Sequence, residues 1–318
     1  VLRLTKGIHL VFDAGRFPLQ QAVYFDTPDG RMVFAIPRDG KTYAGTTDTV
    51  YEGDTSHPRM TAEDRAYVLQ AINGMFPDVK LTVADVESSW AGVRPLIYED
   101  GKSPSEISRK DEIWESRSGL ITIAGGKLTG YRKMSELVVD RAVRGLGRLH
   151  GQSFRACRTR HILISGGNVG GSAGWDAFVS KQAAAGAALG LSPETARAWA
   201  ARYGSNVERL FAIATRSMKN ATETEAALPI EVRVPLLYAM EQEMTVTPSD
   251  FFIRRTGALF FQIDEVKRWK QAVIAWMSEY AGWSAEQERQ YTTELDAYLY
   301  EAVTPVEVEA EPSAVKAI

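Results

Sequence analysis

Over the first fifty residues, apolar and polar positions alternate with the two-residue period of a half-buried strand, and turn chemistry interrupts the alternation every few residues. Segments 8–12, 22–26, 32–37 and 42–47 are therefore predicted strands. Thr27-Pro-Asp-Gly30 and Arg38-Asp-Gly40 supply the turns. Connections this short predict antiparallel pairing, because a parallel return needs a crossover of about a dozen residues or more. The period then lengthens. Tyr67, Val68, Ala71, Ile72 and Met75 fall at three- and four-residue spacing, Thr61 and Asp64 form a capping box, and Pro77 stops the helix predicted over 62–76. Extended segments return at 83–93 and 107–115. A short apolar strand, 120–124, then leads through Gly125 and Gly126 into another helix. Its Leu128, Tyr131, Met134, Leu137, Val138, Ala142 and Leu146 share one face, predicted to be buried.

Past Gly145 the pattern changes. Segment 161–165 reads as a short strand-like run, and 166–174, rich in glycine, reads as a flexible linker. Helical periodicity then dominates, with helices predicted at 175–189, 193–203, 206–214, 230–243, 248–254, 263–280 and 285–302. Ser192-Pro193, Thr247-Pro248 and Ser284 are suited to helix starts, since a hydroxyl can cap and proline fits the first turn. Trp199, Tyr203, Phe211, Phe260, Phe261, Trp269, Trp276 and Tyr280 are expected in the core of this half. The predicted fold class is α+β: a mostly antiparallel sheet with helices on one side, followed by an all-helical domain. The boundaries are 1–152 for the first domain, 153–303 for the second, and 304–318 for a disordered acidic tail.

Composition narrows this picture modestly. With 318 residues, 45% hydrophobic and 24% charged, the chain can build two cores. A formal net charge of -3 gives no global attraction to nucleic acid, so an anion site has to be local. The single cysteine, Cys157, excludes an internal disulfide and fits a reducing compartment. No apolar run approaches the roughly 20 residues of a spanning helix. Alternation begins within a few residues of Val1, with no initiating methionine. This predicts that the sequence is the later part of a longer polypeptide, or that its first segment is missing.

The strand, paired glycines and helix around Lys127 offer an anion-facing turn. The first turn of a helix presents unpaired N–H groups and a positive dipole end, together favouring an anion by about 0.3–1 kcal/mol when exposed. Lys127 adds a full charge. A plain strand-to-helix connection with a solvated lysine explains these residues equally well. It is not a Walker loop, since Ile121 and Leu128 stand where that motif needs glycine and a hydroxyl residue. The glycines at 166–174 also fail the dinucleotide spacing at Asn168. Four other features place polar groups in sheet segments: His9, the Gly45-Thr-Thr-Asp48 strand end, Arg94 between Val93 and Pro95, and Arg109. Each has a structural explanation as well: a satisfied histidine, a turn, an ion pair from Arg94 to Asp48 or Glu87, and a surface charge. Zinc, serine-hydrolase and metalloprotease motifs are absent, and no metal is expected. The cations and the anion-facing turn suggest a small phosphorylated or carboxylated ligand.

Taken in order, Lys6-Gly-Ile-His-Leu10, Gly45-Thr-Thr-Asp48, Gly92-Val-Arg-Pro-Leu96, Ile107-Ser-Arg109 and Gly125-Gly-Lys-Leu-Thr-Gly-Tyr-Arg132 resemble the aerobic FAD-dependent glycerol-3-phosphate dehydrogenases. The helical half resembles that family's C-terminal domain. The sequence departs from the family in having no G-x-G-x-x-G segment for the FAD pyrophosphate. The resemblance implies oxidation of sn-glycerol 3-phosphate at C2 to dihydroxyacetone phosphate, with hydride passing to N5 of FAD and electrons to membrane quinone. It implies that His9, as an imidazole with near-neutral pKa, accepts the hydroxyl proton, and that Arg94 stabilises the alkoxide. Arg109 and Lys127 would bind phosphate. Gly126, Lys127, Leu128 and Thr129 would face the flavin ring, and Thr46 and Thr47 would line the flavin or substrate edge. A cytoplasmic protein, peripheral on the inner face of the membrane, is the implied location; a homodimer is left open. Two competitors stay open as well: an oxidase that uses oxygen, and a non-catalytic module that binds a phosphate ligand or another protein.

Overall fold

A computed structural model describes residues 2–97, 111–220 and 222–306. The chain divides into two compact units, Val1–Arg160 with Ala297–Ile318, and His161–Asp296. Arg109, the rest of segment 107–110 and tail residues 307–318 lie outside the described residues.

The first unit is built on one long strand, β1 (Leu2–Asp13). It is followed by β2 (Val23–Asp26), β3 (Met32–Arg38), β4 (Lys41–Gly45) and β5 (Thr49–Val50). The helix α1 (Ala62–Met75) comes next, and then β6 (Ser88–Ile97). These strands form one antiparallel sheet in the order β2-β3-β4-β1, with β5 also on β1 and β6 along its other edge. The pleat alternates side chains between faces. Ile8, Leu10 and Phe12 are fully buried with Ala35 and Ala44 against Val68, Leu69 and Ile72 of α1. Each large side chain so buried contributes about 1.5–3 kcal/mol. The helix is therefore held mainly by this face. It begins with the predicted capping box, Thr61 accepting from the Asp64 N–H and Asp64 from that of Thr61.

A second tie at this end was not visible in the pattern. Lys6, on the core face of β1, is 6% exposed, and its Nζ lies 2.5 Å from Asp64 Oδ2. It also donates to the Arg59 carbonyl at 3.2 Å. The first turn of α1 is thus pinned to the central strand by a buried ion pair.

Three expectations for this unit change. Segment 83–93 is not extended throughout: Val83–Asp85 is a 3-10 turn, closed by the Asp85 carboxylate accepting from the Thr82 N–H at 2.8 Å. Segment 120–124 forms β8 (Ile121–Gly125) in a hairpin with β7 (Asp111–Glu115), and α2 (Tyr131–His150) follows a 3-10 turn at Leu128–Gly130. The predicted buried face of α2 is present as a pattern but no residue of the helix is buried, and Leu128 is 89% exposed. Periodicity reports a face that favours cover; it does not supply the surface that covers it. Finally, residues 304–306 are ordered, the Thr304 carbonyl accepting from Arg59 and the Val306 N–H donating to the Met60 carbonyl at 2.8 Å.

The second unit is helical. It contains α3 (Gly171–Ala188), α4 (Pro193–Tyr203), α5 (Val207–Asn220), α6 (Glu223–Ala226), α7 (Ile230–Gln242), α8 (Ala258–Phe261), α9 (Ile263–Ala281) and most of α10 (Ala285–Val303). Ser192 caps α4 as predicted, accepting from the Thr195 N–H. The glycine run does not stay a linker, because α3 begins at Gly171. Nor is 161–165 a strand: Ile162, Leu163 and Ile164 are exposed and pair with nothing in a sheet. The helix expected at 248–254 is a π-helix, Asp250–Arg255, and Tyr280 is 52% exposed, outside the core. Trp199, Phe211, Phe261 and Trp276 are buried as expected. Gly186 permits close packing of α3 on α4, since a Cβ there would stand 2.5 Å from that of Ala196.

Candidate functional site

The chemistry gathers on the sheet face opposite α1. In the β1–β6 register Thr5 faces Arg94, Gly7 faces Gly92 and His9 faces Trp90, while on the other side His9 faces Gly45. Cross-strand partners share a face, and so do residues two apart. His9, Trp90, Gly7, Gly92, Thr5 and Arg94 therefore form one surface.

The imidazole sits in an aromatic surround. Its ring stacks on Trp90 with centroids 4.8 Å apart and planes 15° from parallel, and Phe34 lies at 5.3 Å and Tyr43 at 6.4 Å. Nδ1 is buried and has no hydrogen-bond partner among the described residues. Burial, helped by the Arg94 charge, lowers the His9 pKa to about 4. The near-neutral value expected from sequence is thus replaced by a ring held neutral at physiological pH.

Arg94 is held from one side. Its Nη1 donates to Asp48 Oδ1 at 2.9 Å, and the Thr5 hydroxyl donates to the same oxygen at 3.1 Å. Of the two carboxylates considered from sequence, Asp48 is the partner; Glu87 pairs with Lys41. Nη2 points over Gly7, lying 3.6 Å from where a Cβ would stand. Asp48 occupies the left-handed region at φ +53, which Asp tolerates better than most residues. The loop carrying it is tied down twice, the Thr47 hydroxyl donating to the Lys6 carbonyl at 3.2 Å and Arg31 Nη1 to the Thr47 carbonyl at 2.7 Å. Thr47 is thereby committed to the fold through both groups. Thr46 is not: its hydroxyl oxygen is buried, unpartnered, and 2.1 Å from a Cβ added to Gly7.

The remaining described residues of the predicted set come from another element. Gly126 to Thr129 form the turn between β8 and α2. Lys127 precedes the 3-10 turn, and its side chain makes no hydrogen bond or ion pair among the described residues. The first bond of that turn runs from the Gly130 N–H to the Lys127 carbonyl at 2.8 Å, which leaves the N–H groups of Leu128 and Thr129 outside it. Gly126 has a packing role of its own: φ is +82, and a Cβ would stand 2.5 Å from Met134 Sδ. A cavity of about 600 Å³ between the β2–β3 turn and α1, lined by Asp29, Tyr67 and Gln70 among others, contains none of the predicted site residues. Its lining comes from α1 and the β2–β3 turn, not from the face that carries His9 and Arg94. No group of His, Cys, Asp or Glu able to hold a metal occurs among the described residues.

Comparisons with known proteins match both units. A family model described as FAD dependent oxidoreductase matches residues 1–132, and one described as C-terminal domain of alpha-glycerophosphate oxidase matches 157–288. The aerobic glycerol-3-phosphate dehydrogenase of Bacillus subtilis is 56% identical over 309 residues, covering 96% of this chain and 55% of that protein. That of Staphylococcus haemolyticus is 52% identical over 302 residues, covering 95% and 54%. The crystal structure of glycerol-3-phosphate dehydrogenase from Bacillus halodurans, complexed with FAD, superposes with a TM-score of 0.87 at 50% identity, covering 97% of this chain and 59% of that one. Over both units the chain is similar to the aerobic glycerol-3-phosphate dehydrogenases.

It spans about half the length of the curated dehydrogenases it matches. In this chain, sequence reasoning found His9, Arg94 and Thr46 singly but missed what surrounds them. Trp90, Phe34 and Tyr43, which desolvate His9, and the Gly7–Gly92 pair become neighbours only through strand register. Alternation alone would have put Thr5, Gly7 and His9 on one face; nothing local says which residues of β6 lie opposite.

Proposed function

We propose that this chain is the substrate-facing part of an FAD-dependent dehydrogenase that oxidises sn-glycerol 3-phosphate to dihydroxyacetone phosphate. The observation that carries the reading is one sheet face on which a neutral imidazole and a guanidinium flank the open backbone of Gly92, with His9 Nδ1 and Thr46 Oγ1 buried there and unpartnered. Buried polar atoms without partners are rare in folded proteins and mark a place for a ligand. The same orphan hydroxyl, and the uncommitted N–H groups of the 126–129 turn, fit a flavin. Gly126, Lys127, Leu128 and Thr129 would hold it, with Thr46 at the flavin or substrate edge and Thr47 fixing the loop that presents it there. Bound FAD would supply the oxidant, taking the C2 hydride at N5. His9 accepts the C2 hydroxyl proton, for which its low pKa keeps the imidazole free at neutral pH. Arg94 Nη2 stabilises the alkoxide as charge develops, an interaction stronger in the transition state than in the ground state. Arg109 and Lys127 bind phosphate.

The test is anaerobic addition of glycerol 3-phosphate to the full-length, FAD-loaded protein. The oxidised flavin absorption should bleach with glycerol 3-phosphate and persist with glycerol; no bleaching would end the reading. We infer quinone as the acceptor, with the protein on the cytoplasmic face of the membrane, as the family resemblance implies. No helix among the described residues is long and apolar enough to cross a membrane. The match of 157–288 to an oxidase domain keeps oxygen as a second reading. Peroxide yield measured against quinone reduction separates the two.

Asp48 enters this mechanism through Arg94, and its effect should follow the same route. Asp48→Ala in the full-length protein is expected to lower kcat/KM roughly tenfold, within the coupling usual for contacting residues. In an Arg94→Ala background it should cost nothing further, and Asp48→Asn, which keeps an acceptor oxygen, should retain most activity. Equal losses in both backgrounds would show that Asp48 acts independently of Arg94.

A further inference from the structure

Gly92 has no conformational or packing reason to be glycine. It lies within β6, its φ is outside the left-handed region, and a Cβ built on it meets nothing within 4 Å. Glycine in a strand interior weakens the strand, because it loses more chain entropy on folding and brings no side chain to pack. Its cross-strand neighbour is different. Gly7 cannot carry a side chain without displacing Thr46. Of two glycines facing each other in register, the fold requires one and leaves the other unexplained.

Gly7 is buried under Thr46, with Arg94 Nη2 close by, so the bare backbone on the face that carries His9 and Arg94 is that of exposed Gly92. The His9–Trp90 pair stands two residues to one side and the Thr5–Arg94 pair two residues to the other. At about 3.4 Å per residue the flanking pairs are roughly 14 Å apart along the strands. Arg94 Nη2 reaches back over Gly7, so the room for a short chain lying flat is the shorter stretch over Gly92, between the guanidinium and the His9 ring. A second observation points to a ligand here: Thr46 is 6% exposed, and its unpartnered hydroxyl oxygen stands over Gly7.

We propose that Gly92 is a specificity-determining residue, the floor on which the carbon chain of a short, unbranched phosphorylated polyol rests between His9 and Arg94. The chain contacts backbone at Gly92, the Thr46 hydroxyl over Gly7 hydrogen-bonds one of its oxygens, and a side chain at 92 takes up the ligand's space. This rests on the dehydrogenase reading above and adds to it the surface that sets substrate shape.

The test uses the full-length, FAD-loaded enzyme with Gly92→Ala and Gly92→Val, measuring KM for glycerol 3-phosphate, flavin content and Tm. Alanine should raise KM about ten- to two-hundredfold, the range for a methylene misfit, and valine should abolish measurable turnover. Flavin content should stay at the unsubstituted level, and Tm should be unchanged or higher, since a strand glycine has been replaced. Unchanged KM and kcat in Gly92→Val would overturn the proposal. So would loss of flavin or of Tm in step with activity, which would assign Gly92 to cofactor retention or folding. If the unsubstituted enzyme fails to turn over glycerol 3-phosphate, the dehydrogenase reading itself has failed and this one with it. Turnover by the unsubstituted enzyme and by Gly92→Val alike would remove the floor alone.

Discussion

Arg94→Ala in the full-length enzyme is expected to lower kcat/KM for glycerol 3-phosphate at least about a hundredfold, a loss of about 3 kcal/mol of transition-state interaction. The loss should fall on kcat more than on KM, because the charge Arg94 meets is largest on the developing alkoxide. The variant should also move the pH profile, and the sign follows from the two causes that hold the His9 pKa at about 4. Burial is the larger and stays. The Arg94 charge is the smaller and goes, so the imidazole protonates more readily and the acid limb of kcat/KM shifts to higher pH. It should stop short of the ordinary value near 6.5, since Trp90 and Phe34 still exclude water. Arg94→Lys keeps a charge but cannot both bond Asp48 and reach over Gly7 with a second nitrogen. It should therefore restore the pH profile without restoring the rate. Near-normal turnover in Arg94→Ala would remove the residue from the mechanism.

What could be read from the sequence depended on how local its cause was. The alternation about β1 to β4, the Thr61–Asp64 box and the Ser192 cap all arise within a few residues and came out where expected. Pairing of β1 with β6 joins residues 77 to 95 apart, and with it came the His9–Trp90 stack and the facing Gly7–Gly92 pair. Two errors have one origin. Composition makes the glycines at 171–174 a linker, yet they open α3; periodicity gives α2 a buried face, yet it stays open. Both measures describe a segment's preference, whereas the outcome depends on what lies against it. Lys6 escaped notice for a related reason. A lysine among alternating residues reads as solvated until the partner that neutralises it, fifty-eight positions on, is known to stand beside it.

That lysine carries the largest expected effect on stability. Lys6→Ala leaves the Asp64 carboxylate, 7% exposed, without its counter-ion, and removing one partner of a buried pair costs about 3–5 kcal/mol. Thermal or urea unfolding of the full-length protein should show it as a loss on that scale. Coulomb attraction alone does not explain the figure, since desolvating both ions offsets much of what their pairing returns. The cost comes from stranding a charge. Lys6→Met with Asp64→Asn should accordingly recover most of the stability, because the amide oxygen can still accept from the Thr61 N–H and keep α1 capped. If Lys6→Ala costs under about 1 kcal/mol, the pair is behaving as a solvated surface bridge. The effect should also reach the site. The Lys6 carbonyl takes the Thr47 hydroxyl, and the same loop presents Thr46 and Asp48 to the face that holds His9 and Arg94. Loosening α1 from β1 should therefore raise KM before it unfolds the protein, and the paired substitution should reverse both changes together.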